Sequence, residues 1–136
     1  MAKIKNRNKP TGKGVAERSP EKRSVDAMTP WFCFANLRPS HCISQCTRDE
    51  RSALAETLRK LSSLTWRELR AAPRHGLGYE KIGRSSFQAP IPPAITEDVE
   101  LLAFRFNGKA PIVGYRLDRV FHVVWVDRAF DVYKHG

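Results

Sequence analysis

"VFHVVWVDRAFDVYKHG", residues 120–136, is the most informative stretch of the chain, because it joins a run of apolar residues to a dense group of titratable ones. Apart from His122, the first half is apolar, which is typical of a strand buried in a sheet. The second half holds several titratable side chains: Asp127, Arg128, Asp131, Tyr133, Lys134 and His135. A buried strand that leads directly into such a group predicts that the strand holds a functional site in place.

Two further strands are predicted just before this stretch, "ELLAFRF" (100–106) and "IVGYRL" (112–117). Short connections favour hairpins between neighbouring strands. The last connection is a tight turn at Asp118 and Arg119, which leads into a final strand over 120–127. The three strands therefore predict an antiparallel meander.

Helix signals lie upstream of the meander. Two Thr-x-x-Glu capping boxes, which begin at Thr47 and Thr65, predict helices over residues 48–62 and 66–72. Apolar residues at helical spacing predict a stripe on the first helix that packs against the sheet. The stripe consists of Leu54, Leu58 and Leu61.

The remaining segments complete an α+β domain over residues 31–136. "WFCFANLRP" (31–39) predicts a first strand, because it is rich in aromatic residues and ends in proline. Residues 73–97, with three glycines and several prolines, predict a long loop. The order is therefore a strand, two helices and a three-stranded antiparallel meander.

Residues 1–30 differ from the rest in composition. They contain eight Lys and Arg residues, three Asp and Glu residues, and almost no large apolar residue. Such a segment cannot bury enough apolar surface to offset its ordering entropy, so a disordered basic tail is predicted.

The composition also bounds the partners and the compartment. A formal net charge of +10 favours nucleic acid or an acidic protein as a partner. No apolar run is long enough for a membrane span, and no secretory signal is recognised, so the chain is predicted to be cytoplasmic with no membrane partner.

The spacing of Cys33, His41, Cys42 and Cys46 does not fit a zinc site, and no glycine-rich phosphate motif is present. Neither a metal nor a cofactor is therefore predicted.

Alternation along the strands predicts where the polar residues lie. Pairing the apolar residues of the first two strands puts Arg105 and Arg116 together on the face away from the helices. Two arginines with an aromatic ring can hold phosphates and stack a base. The residues on this face are Arg105, Arg116, Trp125 and Asp127, and Tyr133 and His135 lie close by. Two plainer interpretations stay open: the arginines pair with carboxylates, and Asp127 caps the chain that follows it.

The arrangement resembles the RelE/ParE-type toxins of bacterial toxin–antitoxin systems. The segment "FRFNGKAPIVGYRLDRVFHVVWVDRAFDVYKH" follows their outline of an arginine-bearing strand, an apolar strand and an aromatic, histidine-bearing end. It is also similar to phage- and prophage-associated proteins that end in an F-x-V-V-W-x-D pattern followed by a tyrosine. Asp127 and Tyr133 match that pattern, and Phe130 occupies the position of its histidine.

The resemblance implies a RelE-like fold and a metal-independent endoribonuclease that cleaves mRNA, with the ribosome as the usual setting and a cognate antitoxin as a partner. It implies that Arg105 and Arg116 bind phosphate and that Tyr133, His135 or Asp127 moves protons. Further substrate-binding candidates are Lys81, Arg74, His75, Trp125 and Arg128.

Two other functions fit the same residues. The first is a non-catalytic phage, prophage or host-interaction protein that binds nucleic acid or an acidic protein. The second is a small structural or adaptor domain whose charge serves solubility.

Overall fold

The computed structural model describes residues 24–135, which contain two α-helices and five strands. The helices are α1 (Arg48–Leu61) and α2 (Trp66–Ala71). The strands are β1 (Trp31–Cys33), β2 (Tyr79–Ile82), β3 (Leu101–Asn107), β4 (Ala110–Leu117) and β5 (Val120–Val126). The predicted α+β class is confirmed. Residues 1–23, which form most of the predicted tail, lie outside the described residues.

Both helices begin at the predicted capping boxes. The Thr47 hydroxyl accepts the Glu50 N–H at 3.1 Å, and the Glu50 carboxylate accepts the Thr47 N–H at 2.7 Å. Thr65 and Glu68 form the same reciprocal pair at the start of α2. Two amide N–H groups that the helix itself cannot satisfy are bonded in each case, and both predicted helices are confirmed.

The sheet has five strands in the order β1-β5-β4-β3-β2, with β1 parallel to β5 and the other pairs antiparallel. The architecture predicted for it, a three-stranded meander, is therefore incomplete, because those strands are the middle of a larger mixed sheet. Part of the predicted loop 73–97 forms β2, which pairs with β3. The first strand is confined to β1 and is shorter than the predicted 31–39.

One face of the sheet, the helix face, packs against α1 and α2. Leu102 and Phe104 of β3 lie there with Phe121 of β5, in one buried cluster with Leu54 and Trp66 of the helices. Trp66 is fully buried, and its indole N–H donates to the Arg119 carbonyl at 3.1 Å. A large aromatic ring with a satisfied polar atom thus fixes α2 against the sheet.

The opposite face, the loop face, is covered by irregular segments instead of helices. Its buried residues include Val113 and Trp125 of the sheet, Ile95 of the long loop, and Val132 and Tyr133 of the chain end. Because both faces are buried, the strands carry apolar residues at consecutive positions, and simple alternation does not reveal which face each residue joins.

The predicted placement of Arg116 beside Arg105 is wrong for this reason. Ile112 pairs with Phe104 and therefore faces the helices, so Arg116, four residues further along β4, faces the helices as well. Arg105 pairs with Pro111 and lies on the loop face. The prediction placed Arg116 on the face away from the helices, which corresponds to a shift of one residue in β4, and such a shift reverses every side chain.

β5 contains a β-bulge, which places two consecutive residues on the loop face. Val113 pairs with Trp125 and Gly114 pairs with Val123, so Val124 is an extra residue in β5. Val124 and Trp125 both join the cluster on the loop face.

The predicted two-residue turn between β4 and β5 is confirmed. Leu117 pairs with Val120, and Asp118 in the turn adopts a left-handed φ of 56°.

Residues 24–30 pack onto the domain, which therefore begins before residue 31. Asp26 bonds to Arg116 at 2.8 Å, and the Trp66 N–H donates to the Met28 carbonyl at 3.0 Å. Within residues 24–135, no helix has the length and apolar character that a membrane span requires.

Gly114→Ala should lower the free energy of unfolding by roughly 1–3 kcal/mol, because overpacking at a tight backbone contact forces the strands to shift. A Cβ at position 114 would lie 1.9 Å from the His122 carbonyl oxygen. Gly83→Ala is the matched control, since the nearest atom to its Cβ is the Ser85 hydroxyl at 4.0 Å. Equal urea midpoints for the two variants would contradict the bulge geometry.

Candidate functional site

A cavity of about 480 Å³ opens on the loop face, between the sheet and the chain end. We call it the basic cavity, and its lining residues are Arg74, Glu80, Ala103, Arg105, Lys109, Pro111, Tyr133 and His135. Glu80, Ala103 and Arg105 reach it because β2 and β3 are in register there. The structure thus brings together four of the predicted site residues, which are Arg74, Arg105, Tyr133 and His135.

The electrostatics of the basic cavity favour an anion. Arg74 pairs with Glu80 at 2.9 Å, which neutralises one charge of each sign. Among the described residues, Arg105 and Lys109 form no ion pair. Two cations without a carboxylate partner therefore remain beside the cavity, in a partly enclosed setting where charge interactions are stronger than in open water.

The buried carboxylate of Asp127 builds the wall of the cavity formed by the chain end. Asp127 is fully buried, and its two oxygens accept the N–H groups of Asp131 at 2.9 Å and Val132 at 3.1 Å. Phe130, within this turn, has a left-handed φ of 61°. The plainer sequence interpretation, in which Asp127 caps the following chain, therefore describes its contacts.

The segment after this turn is fixed to the long loop. The Val132 carbonyl accepts the N–H groups of Gln88 and Ala89, and the Lys134 N–H donates to the Ser86 carbonyl at 2.8 Å. Tyr133 between them packs against Phe87, with ring centroids 6.1 Å apart. These contacts hold the Tyr133 ring at the edge of the basic cavity.

Tyr133 and His135 form the polar wall of the cavity. Their rings are stacked, with centroids 4.2 Å apart and planes 25° apart. Burial, with Glu80 and Asp127 nearby, raises the pKa of Tyr133 to about 12, so its hydroxyl stays protonated and can donate. The Nε2 atom of His135 lies 3.7 Å from the Oδ2 atom of Asp127. Histidine is the residue type best suited to proton exchange near neutral pH.

A group of hydrogen-bonded side chains, Ser40, His41 and Asp131, lies close to Asp127. His41 Nε2 contacts Asp131 Oδ1 at 2.7 Å, and His41 Nδ1 contacts the Ser40 hydroxyl at 2.8 Å. The contact with His41 lowers the pKa of Asp131, whereas burial raises the pKa of Asp127. The two carboxyl groups therefore have opposite preferences for a proton.

His41, Asp127 and Asp131 are also the group that can hold a metal ion, since their donor atoms lie within 4.8 Å of one another. Both Asp127 oxygens already accept backbone N–H groups, and His41 is bonded to Asp131. A metal would have to compete with these hydrogen bonds.

The other predicted site residues lie elsewhere. Arg116 donates to Asp26 at 2.8 Å, and its guanidinium lies 4.3 Å from the centroid of the Trp66 ring on the helix face. Lys81 pairs with Glu100 at 3.2 Å. The three remaining candidates are Arg128, which pairs with Glu50 at 2.7 Å, Trp125, which is buried, and His75, which is exposed and does not line the cavity.

Sequence reasoning missed Lys109 and Glu80 in the cavity and the pairing of His41 with Asp131. Lys109 follows Asn107 and Gly108, a pair that is typical of a hairpin turn. A turn next to the strand that carries Arg105 could therefore have indicated a second cation near that arginine. The contact between His41 and Asp131 joins residues 90 positions apart, and no local pattern indicates it.

Comparisons of the chain with protein-family models, with curated proteins and with solved structures found no match.

Asp127→Ala should lower the free energy of unfolding by roughly 1–3 kcal/mol, because the buried Val132 N–H is left without an acceptor. Asp131→Ala is the control, because its side chain is 61% exposed, and it should cost no more than about 1 kcal/mol. Urea unfolding of both variants checks this. Equal losses would show that Asp127 does not hold the chain end.

Asp26→Asn should destabilise the fold at neutral pH and have little effect in strong acid. Hydrogen bonds from Arg116 and Arg70 hold the pKa of Asp26 below its ordinary value of 3.8. The stabilisation is therefore present above pH 3.8 and is lost as the pH falls through the lowered pKa. Denaturation at neutral pH and at pH about 2, with the exposed Glu97→Gln as control, tests the sign. A difference from wild type that does not vary with pH would contradict it.

Proposed function

We propose that this chain is a metal-independent endoribonuclease that binds the phosphodiester backbone of RNA in the basic cavity. The observation that carries the proposal is the position of Arg105 and Lys109 across one cavity from the stacked pair of Tyr133 and His135. Cations that bind a phosphate, next to groups that can give and take a proton, are what RNA cleavage without a metal needs.

Each residue has a role in this proposal. His135 takes the proton of the 2′-hydroxyl, whose oxygen attacks the adjacent phosphorus. Arg105 and Lys109 stabilise the charge that develops on the phosphate. Tyr133, which the raised pKa of about 12 keeps protonated, donates to the leaving 5′-oxygen as the P–O bond breaks. The products are a 2′,3′-cyclic phosphate and a 5′-hydroxyl.

Asp127 supports His135 in this scheme and does not itself contact RNA, because its carboxylate is fully buried. Its Oδ2 atom lies 3.7 Å from His135 Nε2, close enough to orient the imidazole. Asp127 is therefore a positioning residue here, and Arg116 has no role.

The resemblance to RelE/ParE-type toxins extends the proposal to the fold family, to mRNA in the cytoplasm as the substrate, to the ribosome as the setting, and to an antitoxin as the partner. Induced expression in a bacterial host tests this extension. Growth arrest with mRNA loss supports a toxin, whereas normal growth with cleavage in vitro leaves a nuclease of another kind.

A second candidate function is RNA binding without cleavage. The stacking of His135 on Tyr133 favours it, because a packed imidazole fills the edge of the cavity without any chemistry. Phosphate contacts from Arg105 and Lys109 alone would give salt-dependent binding.

The cleavage of a labelled single-stranded RNA by the full chain in excess EDTA is the decisive measurement. His135→Ala should slow cleavage by about 10²–10⁴-fold, the usual contribution of a general acid or base. Arg105→Ala should weaken both binding and cleavage. Lys81→Ala is the matched control, because it removes a surface cation that lies outside the cavity.

The outcomes separate the candidates. Replacement of the RNA by DNA of the same sequence removes the attacking 2′-hydroxyl, so binding without cleavage is then expected. RNA that is bound but left intact supports the binding function. If Arg105→Ala and Lys81→Ala weaken RNA binding equally, the basic cavity is not the site.

A further inference from the structure

The outer edge of β1 is an unpaired sheet edge. In the described part of the chain β1 pairs with β5 and with no other strand. The Trp31 N–H donates toward β5, to the Arg119 carbonyl at 3.0 Å. Because backbone groups alternate in direction along a strand, the N–H and C=O of Phe32 point to the open side. Such an edge is a template for another strand.

A groove runs along this edge. It has a volume of about 580 Å³ and is lined by Thr29, Pro30, Trp31, Phe32, Leu58 and Ser62. We call it the β1 groove. Phe32 and Leu58 are half-buried on its helix side, whereas the Trp31 side chain is on the other side and 59% exposed. An added strand would therefore find apolar contacts for side chains on both of its faces.

The apolar surface continues beyond the groove. Trp31 pairs with Val120, which pairs with Leu117, so the three side chains form a row across the loop face. Leu117 is 49% exposed. Two large exposed apolar side chains in one row at a free edge mark a contact surface better than either does alone.

The charges around the β1 groove favour an acidic partner. The groove has no acidic lining residue. The guanidinium of Arg119 lies 4.1 Å from the centroid of the Trp31 ring, and its hydrogen bonds go to the main chain and hydroxyl of Thr29 instead of a carboxylate. Lys60 does not line the groove, but it lies in the basic last turn of α1, two residues before the lining residue Ser62.

We propose that the β1 groove binds an extended, acidic segment of a partner protein, which adds to the sheet as a strand beside β1. Main-chain bonds to Phe32 would hold the segment, apolar side chains would lie against Trp31 and Leu58, and carboxylates would meet Arg119 and Lys60. This inference is independent of the proposed nuclease function, because the groove and the basic cavity have no lining residue in common.

Two other occupants fit less well. A second copy of this chain would bring its own Arg119 and Lys60 to the same edge, and these cations would repel those of the first copy. The chain's own residues 1–23 contain eight Lys and Arg residues against two Glu residues, and Arg119 and Lys60 would repel them.

The intrinsic fluorescence of the full chain gives a direct readout. Of its three tryptophans, Trp66 and Trp125 are at most 1% exposed, so quenching by acrylamide reports on Trp31. The probe is a synthetic peptide selected from a displayed library of random peptides. We expect selected peptides to alternate apolar and acidic residues, to shield Trp31 from acrylamide and to shift its emission to the blue.

Two changes test the geometry. Methylation of the peptide's alternate backbone nitrogens, which leaves its charge intact, should weaken binding by about tenfold or more, because main-chain hydrogen bonds are lost. Trp31→Ala should weaken binding measured by anisotropy of a labelled peptide. The control Phe130→Ala removes another exposed aromatic ring and should have no effect.

Other results would overturn the proposal. Binding that survives both methylation and Trp31→Ala would place the peptide elsewhere, and a library that yields no binder would show that the edge takes no strand. A Trp31 already shielded in the free chain would assign the groove to this chain itself. Light scattering then distinguishes a second copy from the chain's own first residues.

Discussion

The two hydrogen bonds that the buried Asp127 carboxylate accepts hold the basic cavity together. They join the end of β5 to the N–H groups of Asp131 and Val132, and so turn the chain back onto the sheet. Tyr133 then packs under the long loop, and His135 stands beside the cavity. Burial raises the pKa of Asp127, and the two backbone donors oppose that shift. The carboxylate stabilises a turn that would otherwise leave the buried Val132 N–H and the half-buried Asp131 N–H without an acceptor.

The second constraint is that both faces of the sheet are covered. On the helix face, Trp66 and Asp26 engage Arg116, so that this arginine stabilises the fold. On the loop face, Arg105 meets no carboxylate among the described residues and lines a cavity. The same residue type therefore has a structural or a candidate functional role according to the side of the strand on which it lies.

The parts of the fold that follow from short stretches of sequence are those the sequence predicts. Each capping box depends on residues three positions apart, and the turn at Asp118 and Arg119 depends on a connection too short for anything else. The register of β4 depends on which of two apolar neighbours, Ile112 or Val113, faces the helices. No local rule decides between them, because both are fully buried.

Local patterns in the sequence are enough to establish the two helices, the α+β class, the net positive charge of the chain and the concentration of polar groups after β5. Which of those groups meet depends on the tertiary structure. Arg74 and Lys109 lie on separate loops that meet at Arg105. His41 contacts Asp131, which lies 90 positions further along the chain. Contacts of this kind depend on strand register and on how loops cover the sheet, and both are set by packing over the whole chain.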